Sequence, residues 1–232
     1  MQISPSREHE LEFSCAPLAS GTSALSALLT LAQTSLSEIP ARLGVPARFA
    51  ATGRMRGTGP GVSFSRSIEA LERDHPIELK FPFEGSAHVG GAAWLASDLI
   101  AKGDPSALAK LHWKAGADDL PMHTHTRSDR FIVVLKGRGF FHISGQPIGT
   151  FDGSDVRTIA AREGDVFLFT RDVVHTFSTA EHSMTLLSCH LPYIPLDDQE
   201  QYALPETRWI ARDHLGRTAL RITATGWSPL VA

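Results

Sequence analysis

Cysteine is nearly absent: Cys15 and Cys189 are the only two, and no Cys-x-x-Cys pair occurs. That excludes a disulfide framework and a thiolate zinc site. No apolar run approaches the ~18 residues that a membrane span requires. The run Phe131-Ile132-Val133-Val134-Leu135 is only strand-sized. The first twelve residues lack a basic start leading into an apolar stretch, so no secretory signal is expected. A reducing, cytoplasmic setting follows as the expectation, with no membrane partner. An excess of either charge is also missing. Lys and Arg total 22 against 25 Asp and Glu, for a formal net charge of -3, which argues against a general polyanion binder. What the chain does have is 232 residues with 42% hydrophobic content, enough to bury a core in one large domain or a medium domain with a smaller partner.

The composition shifts near residue 75. Residues 1–75 hold no Lys, and their seven Arg balance seven acids; between Ile39 and Ile68 no acid occurs, while Arg42, Arg48, Arg54, Arg56 and Arg66 do. Leu25, Leu28, Leu29 and Ala32 recur at helical spacing, so Ser23–Ala32 reads as helix. Ser35–Gly44 reads as a second helix, with Ser35 and Glu38 as a capping box and Gly44 as terminator. Pro46 opens a candidate third helix, and Ser67–Arg73 is a further short one.

From about residue 77 the period changes to two. Ala107–Trp113, Arg130–Leu135, Gly139–Ile143, Asp165–Thr170 and Met184–His190 are short, rich in β-branched and aromatic residues, and bounded by turn residues. No helix repeats between them, so antiparallel sheets in a sandwich or closed barrel are expected. One more strand, Thr218–Ala224, is expected in the tail. The division is 1–75, a helical N-terminal extension, and 76–232, a β-barrel with a C-terminal segment that wraps back.

The histidines carry the chemical signal. His123 and His125 are two apart on an extended segment, so their imidazoles point to one face and can share an ion. His175 follows 50 residues after His125, near the end of another strand that starts beyond Gly164. Neutral imidazole is a common ligand for transition metals. His190 lies on the following strand, either as a hydrogen-bonded core histidine or as an acid–base or substrate-binding group in the barrel. His112 and Lys110 alternate with Leu111 and Trp113 and are expected in solvent. Phe131, Phe140, Phe141, Phe167, Phe169 and Phe177 read as core.

Gly116, His123, His125 and Gly137, followed by Gly164 and His175, resemble the two motifs of the cupin superfamily, with one extra residue between Gly116 and His123. The resemblance covers residues 110–180 and, by its strand pattern, extends over 77–195. It implies a mainly β fold, a cupin-type antiparallel β-barrel of the jelly-roll kind. It also implies one divalent transition metal on His123, His125 and His175, with Fe2+ favoured and Zn2+, Mn2+ or Ni2+ as alternatives. The chain departs from the pattern where the family carries a glutamate ligand, because Arg130 stands there with Asp129 one residue earlier. Asp129 could replace the missing ligand only if the strand bulges, since an inward Arg130 turns Asp129 outward. Arginine cannot ligate a metal, so an inward Arg130 points instead to an anionic substrate or to a carboxylate partner, Asp129 or Asp172. Thr170 and Asp172 replace the usual Pro and Gly of the second motif, and Thr179 stands where Asn is common.

Three functional readings follow. The first is a metal-dependent enzyme acting on a small organic, possibly anionic, molecule: a dioxygenase, or an isomerase or lyase. The second is a ligand-sensing transcriptional regulator. There Ser23–Leu43 would start a winged helix-turn-helix, and Pro46–Arg56 would be the recognition helix, with Arg48, Arg54 and Arg56 on DNA. Pro40 inside the second helix and the neutral segment oppose it. The favoured role for residues 1–75 is packing on the barrel or homodimerisation. The third reading is a small-molecule-binding barrel without chemistry.

Overall fold

The computed structural model describes residues 11–13, 24–43, 49–55, 89–94, 107–118, 120–192, 194, 202–211, 219–223 and 226–229. One helix, α1 (Ala24–Leu43), is followed by a fold built almost wholly of strands. The strands are β1 (Leu11–Phe13), β2 (Ala50–Met55), β3 (Val89–Trp94), β4 (Ala107–Trp113), β5 (Thr124–His125), β6 (Asp129–Ser144), β7 (Arg157–Arg162), β8 (Asp165–Phe169), β9 (Val174–Ser178), β10 (Met184–Leu191), β11 (Tyr202–Ala203), β12 (Arg208–Ala211), β13 (Ala219–Thr223) and β14 (Gly226–Pro229). The principal sheet runs β1-β2-β8-β6-β10-β4-β3, with β7 and β9 paired to the far half of β6. Pairing is antiparallel as expected, except that β1 lies parallel to β2. Among the described residues the ladder does not close on itself.

β6 organises the molecule. The two strands expected at Arg130–Leu135 and Gly139–Ile143 are one strand of 16 residues. Its first half pairs with β8 and β10, and its second half with β7 and β9. Gly137 sits where it passes from one set of partners to the other, with φ of +79°. A Cβ there would lie 2.0 Å from the Ser183 carbonyl oxygen. Only glycine allows both that conformation and that approach.

Alternation along β6 sorts the core into two faces. Phe131, Val133 and Leu135 face one way, with Val166 and Leu168 of β8 and Leu187 and Cys189 of β10. Leu28, Leu29 and Ala32 of α1 cover that face, which is why the helical spacing of those residues exists. Ile132 and Val134 face the other way, with Phe167, Phe169, Phe141, Phe177 and Leu186. This second face is the interior of the fold. The phenylalanines expected in the core are buried there or under α1, except Phe140, which is half-buried.

Several expectations change. Ser23–Ala32 and Ser35–Gly44 are one continuous helix, because the apolar stripe runs through Ser35, which is buried and caps nothing. Pro40 falls in its last turn, where its missing N–H shortens the ladder by one bond. The candidate recognition helix at Pro46–Arg56 is overturned, since Ala50–Met55 is strand β2. β2 pairs with β8 from Ala50↔Phe169 to Arg54↔Asp165. Arg54 is held 3.0 Å from the Asp165 carboxylate rather than presented to a nucleic acid. A free ladder edge on β8 outweighs weak helical propensity in a segment carrying Gly53. Arg48, Arg56, Arg66 and Ser67–Arg73 lie outside the described residues. The tail carries four strands, β11 to β14, where one was expected.

Gly137→Ala tests the turning point of β6. Gly116 has the same φ of +79°, but a Cβ there meets nothing within 4 Å. Gly116→Ala should cost about 1 kcal/mol from conformation alone. Gly137→Ala adds a backbone clash and should cost at least ~2 kcal/mol more by denaturant unfolding. Equal costs would show that the close approach at Ser183 does not constrain the fold.

Candidate metal centre

Two backbone hydrogen bonds assemble the site. The amide of His123 donates to the His175 carbonyl at 3.0 Å, and the amide of His175 donates back to the His123 carbonyl at 2.9 Å. This reciprocal bridge places the two residues directly opposite each other, so their side chains leave the same face. His125 projects from that face too, two residues beyond His123. The Asp172 amide donates to the His125 carbonyl at 2.9 Å and ties down the far end. Asp172 holds φ of +64°, so it takes up the left-handed turn that the related pattern gives to glycine. Asp is one of the few side chains that tolerates it.

The three histidines come together as expected. One candidate ligand atom from each lies within 4.8 Å of the others, and all three side chains are buried. Their ring centroids are 4.6 to 5.2 Å apart. Nδ1 of His123 lies 3.0 Å from the Pro121 carbonyl, and Nδ1 of His175 lies 2.9 Å from the Val173 carbonyl. A carbonyl only accepts, so each Nδ1 carries the proton and each Nε2 keeps its lone pair. Backbone partners of this kind are the usual way that ligating histidines are oriented. Nδ1 of His125 is buried without a hydrogen-bond partner.

Burial also holds the rings neutral. It pushes His123 down to about 4, opposed by the Pro121 hydrogen bond and helped by the charge of Arg130. His125 and His175 are pushed well below the usual histidine value, again first by burial. Three neutral rings, two of them with tautomers fixed by backbone carbonyls, fit a divalent transition ion. They bring no negative charge to it.

Arg130 points inward and is 1% exposed. Its Nη1 donates to Ser128 Oγ and to the Asp129 carbonyl oxygen. Ser128 Oγ in turn donates to the Pro192 carbonyl. Burial lowers Arg130 to about 10, so it stays cationic at neutral pH. Asp129 does not join the cluster. As strand alternation requires, it turns away, and its carboxylate accepts from the Arg171 amide at 2.8 Å and the Arg171 Nε at 3.2 Å. Asp172 is exposed, so it is not drawn in toward Arg130.

His190 is buried at 4% exposure and lies opposite Arg130 in the β10–β6 register. Burial and the Arg130 charge keep it neutral. Tyr202 is a residue that sequence reasoning missed. β11 pairs with β5 as Tyr202↔His125, which brings the phenol ring 5.2 Å from His125 and 5.8 Å from His123. Burial raises it to about 12, so it remains a hydroxyl. A lone tyrosine in an irregular tail, 77 residues from His125, carries no spacing signal. His142, also without a sequence signal, is structural: its two ring nitrogens bond Thr158 Oγ1 and Ser178 Oγ. His112 is exposed as expected, with Nδ1 on Thr185 Oγ1.

The family model for the cupin domain matches residues 109–189. No curated protein matches the chain in sequence. A solved oxalate oxidase in complex with the substrate analogue glycolate is 16% identical, with a TM-score of 0.38. The overlay covers 48% of this chain and 55% of that one, so this chain accounts for only about half of that protein's length. A cupin-superfamily sugar phosphate isomerase from Silicibacter pomeroyi is 12% identical over 70% of this chain and 89% of that one, with a TM-score of 0.39. The polyketide cyclase RemF from Streptomyces resistomycificus is 18% identical over 53% of this chain and 77% of that one, with a TM-score of 0.42. All are partial likenesses of shape.

The buried histidines make stability depend on acid. Their folded pKa values lie below the unfolded value of about 6.5, so below that pH the unfolded chain binds more protons than the folded one. Metal-free protein should therefore be equally stable at any pH from about 7 to 8 and lose stability as pH falls from 6.5 towards 4, by a few kcal/mol for His123 alone. Urea unfolding at stepped pH measures this, and His123→Gln should flatten the slope. An unchanged slope would mean that His123 is not held neutral.

Proposed function

We propose that this chain, whose residues 109–189 match the cupin-domain family model, is a metal-dependent cupin enzyme acting on a small organic molecule. His123, His125 and His175 hold one divalent transition ion, with Fe2+ first and Zn2+, Mn2+ or Ni2+ as alternatives. The observation that carries this is the convergence of three buried, neutral imidazoles within 4.8 Å. A bound ion of this kind supplies a Lewis acid with open coordination positions and, as Fe2+, access to O2 chemistry.

The protein's own groups do the rest. Pro121 and Val173 fix the ligand tautomers through His123 and His175. Phe169 packs its ring 4.1 Å from His175, and the apolar interior excludes bulk water. His190, held neutral, offers a hydrogen bond at its unpartnered Nδ1, and Tyr202 can donate from its hydroxyl but not act as a base near neutral pH. That set of groups suits a dioxygenase or an isomerase or lyase. The regulator reading loses its recognition helix to β2, and no observation favours it. Homodimerisation is kept as part of the proposal, with α1 already committed to covering the sheet. Among the described residues no helix is long and apolar enough to cross a membrane.

Protein purified without a histidine tag should contain close to one divalent ion per chain by elemental analysis. His123→Ala, His125→Ala and His175→Ala should each lose it, because two imidazoles make a weak site. Stoichiometric metal in the His175→Ala variant would sink the three-ligand reading. Oxygen uptake by the loaded protein with a panel of small organic acids separates the dioxygenase from the isomerase or lyase.

A further inference from the structure

The histidine cluster is closed to solvent. His123, His125 and His175 are only 4%, 7% and 2% exposed. Among the described residues, aromatic rings wall them in. Phe169 of β8 and Phe141 of β6 lie 4.1 and 6.1 Å from His175, and Tyr202 of β11 lies 5.2 Å from His125 and 5.8 Å from His123. A molecule that is to reach the imidazoles needs one of these walls to yield.

The walls differ in how they are held. β6 and β8 are strands of 16 and 5 residues inside the principal sheet, each with a partner on both sides. β11 is two residues long, and its ladder with β5 is the pair Tyr202↔His125 and Ala203↔Thr124. A segment opens more easily the fewer backbone bonds and apolar contacts it must break, so the two-residue ladder yields before the long ones. β5 stays in place on the other side of that ladder, because the bridge between His123 and His175 and the Asp172 amide on the His125 carbonyl fix it. Tyr202 stands directly opposite His125, which sends both side chains to the inner face.

The same segment has a firm far end. Trp209 is buried with Met122, Phe151 and Val174, and its ring lies 5.1 Å from His142. Met122 and Val174 adjoin His123 and His175 in sequence, so strand alternation turns them to the opposite face. The chain from Tyr202 to Trp209 therefore passes round the edge of the paired segments, with one aromatic ring on each face. Glu206, between the two, is exposed.

We propose that residues 202–209 form a strap that gates the histidine cluster: Tyr202 and Ala203 lift off β5 to admit a ligand, while Trp209 holds the strap to the fold. The strap deepens the metal reading above, but what it implies for reaching the histidines applies equally to the metal-free chain.

Labelling of the metal-free full chain with diethyl pyrocarbonate, read by mass spectrometry of tryptic peptides, tests this. Peptides 111–114, 115–127 and 139–157 separate His112, which is exposed, from His123 and His125 behind the strap, and from His142, which is buried on the outer face. Relative to His112, the peptide of His123 and His125 should label at least about tenfold faster in Tyr202→Ala than in wild type, with His142 unchanged. Thr124 and Ala203 stand opposite each other and project away from the cluster, so a pair of cysteines there can staple the strap shut. Oxidised Thr124→Cys/Ala203→Cys should label at His123 and His125 at least about tenfold more slowly than the same protein after reduction and removal of the reductant. Equal labelling of the oxidised and reduced forms would overturn the gate. So would an unchanged rate in Tyr202→Ala, and that variant decides the matter where the staple does not form. A parallel rise at His142 would show the whole fold opening, which also overturns it. Zinc binding by the wild-type chain is measured alongside: no bound ion, with the labelling pattern intact, would overturn the metal reading and leave the strap standing.

Discussion

The reciprocal backbone hydrogen bonds between His123 and His175 are the constraint on which the site depends. They join two segments that are remote in sequence at the one position where both carry an imidazole. An antiparallel pair of this kind sends both Cα–Cβ bonds out of the same face of the ladder. His125 follows from strand geometry, and the Asp172 amide on its carbonyl secures that end. The left-handed backbone at Asp172 is part of the same device. It lets the chain turn after Thr170 and bring Val173–His175 back against His123.

The second organising element is the alternation of β6. Its outward residues need a cover, and α1 supplies it with Leu28, Leu29 and Ala32. Its inward residues include Arg130, which shares the interior with apolar rings and neutral histidines. Packing and electrostatics therefore meet on one strand. Residues that stabilise the fold and residues that bear on the chemistry are neighbours in sequence, separated only by the direction in which they point. Asp129 and Arg130 illustrate it: Asp129 forms an ion pair with Arg171 on one side, and Arg130 enters the interior on the other.

The interior is electrostatically unusual for a three-histidine cluster. The rings are neutral because burial makes protonation expensive, and Arg130 deepens that effect. The same burial raises Tyr202, which keeps its hydroxyl proton near neutral pH. Among the described residues the interior beside the cluster thus holds hydrogen-bond donors, lone pairs and the positive charge of Arg130, with the Asp129 carboxylate turned toward Arg171.

Local rules were enough to read much of this from the chain. His123 and His125 share a face because strand alternation is a short-range property, and the same rule made Asp129 and Arg130 mutually exclusive. The flanking glycines and the resemblance they carry located His175. The continuity of α1 and the strand at Ala50–Met55 were misread, because an apolar stripe needing cover and an open sheet edge on β8 are both features of the assembled sheet. Tyr202 was invisible for the same reason. Its place beside His125 comes from a two-residue pairing of β11 with β5, and nothing within either segment records the other. Sequence alone determined which side chains could share a face, through the period of the backbone. The tertiary structure decided which faces meet, because long-range pairing depends on the edges and apolar surfaces that only the folded sheets present.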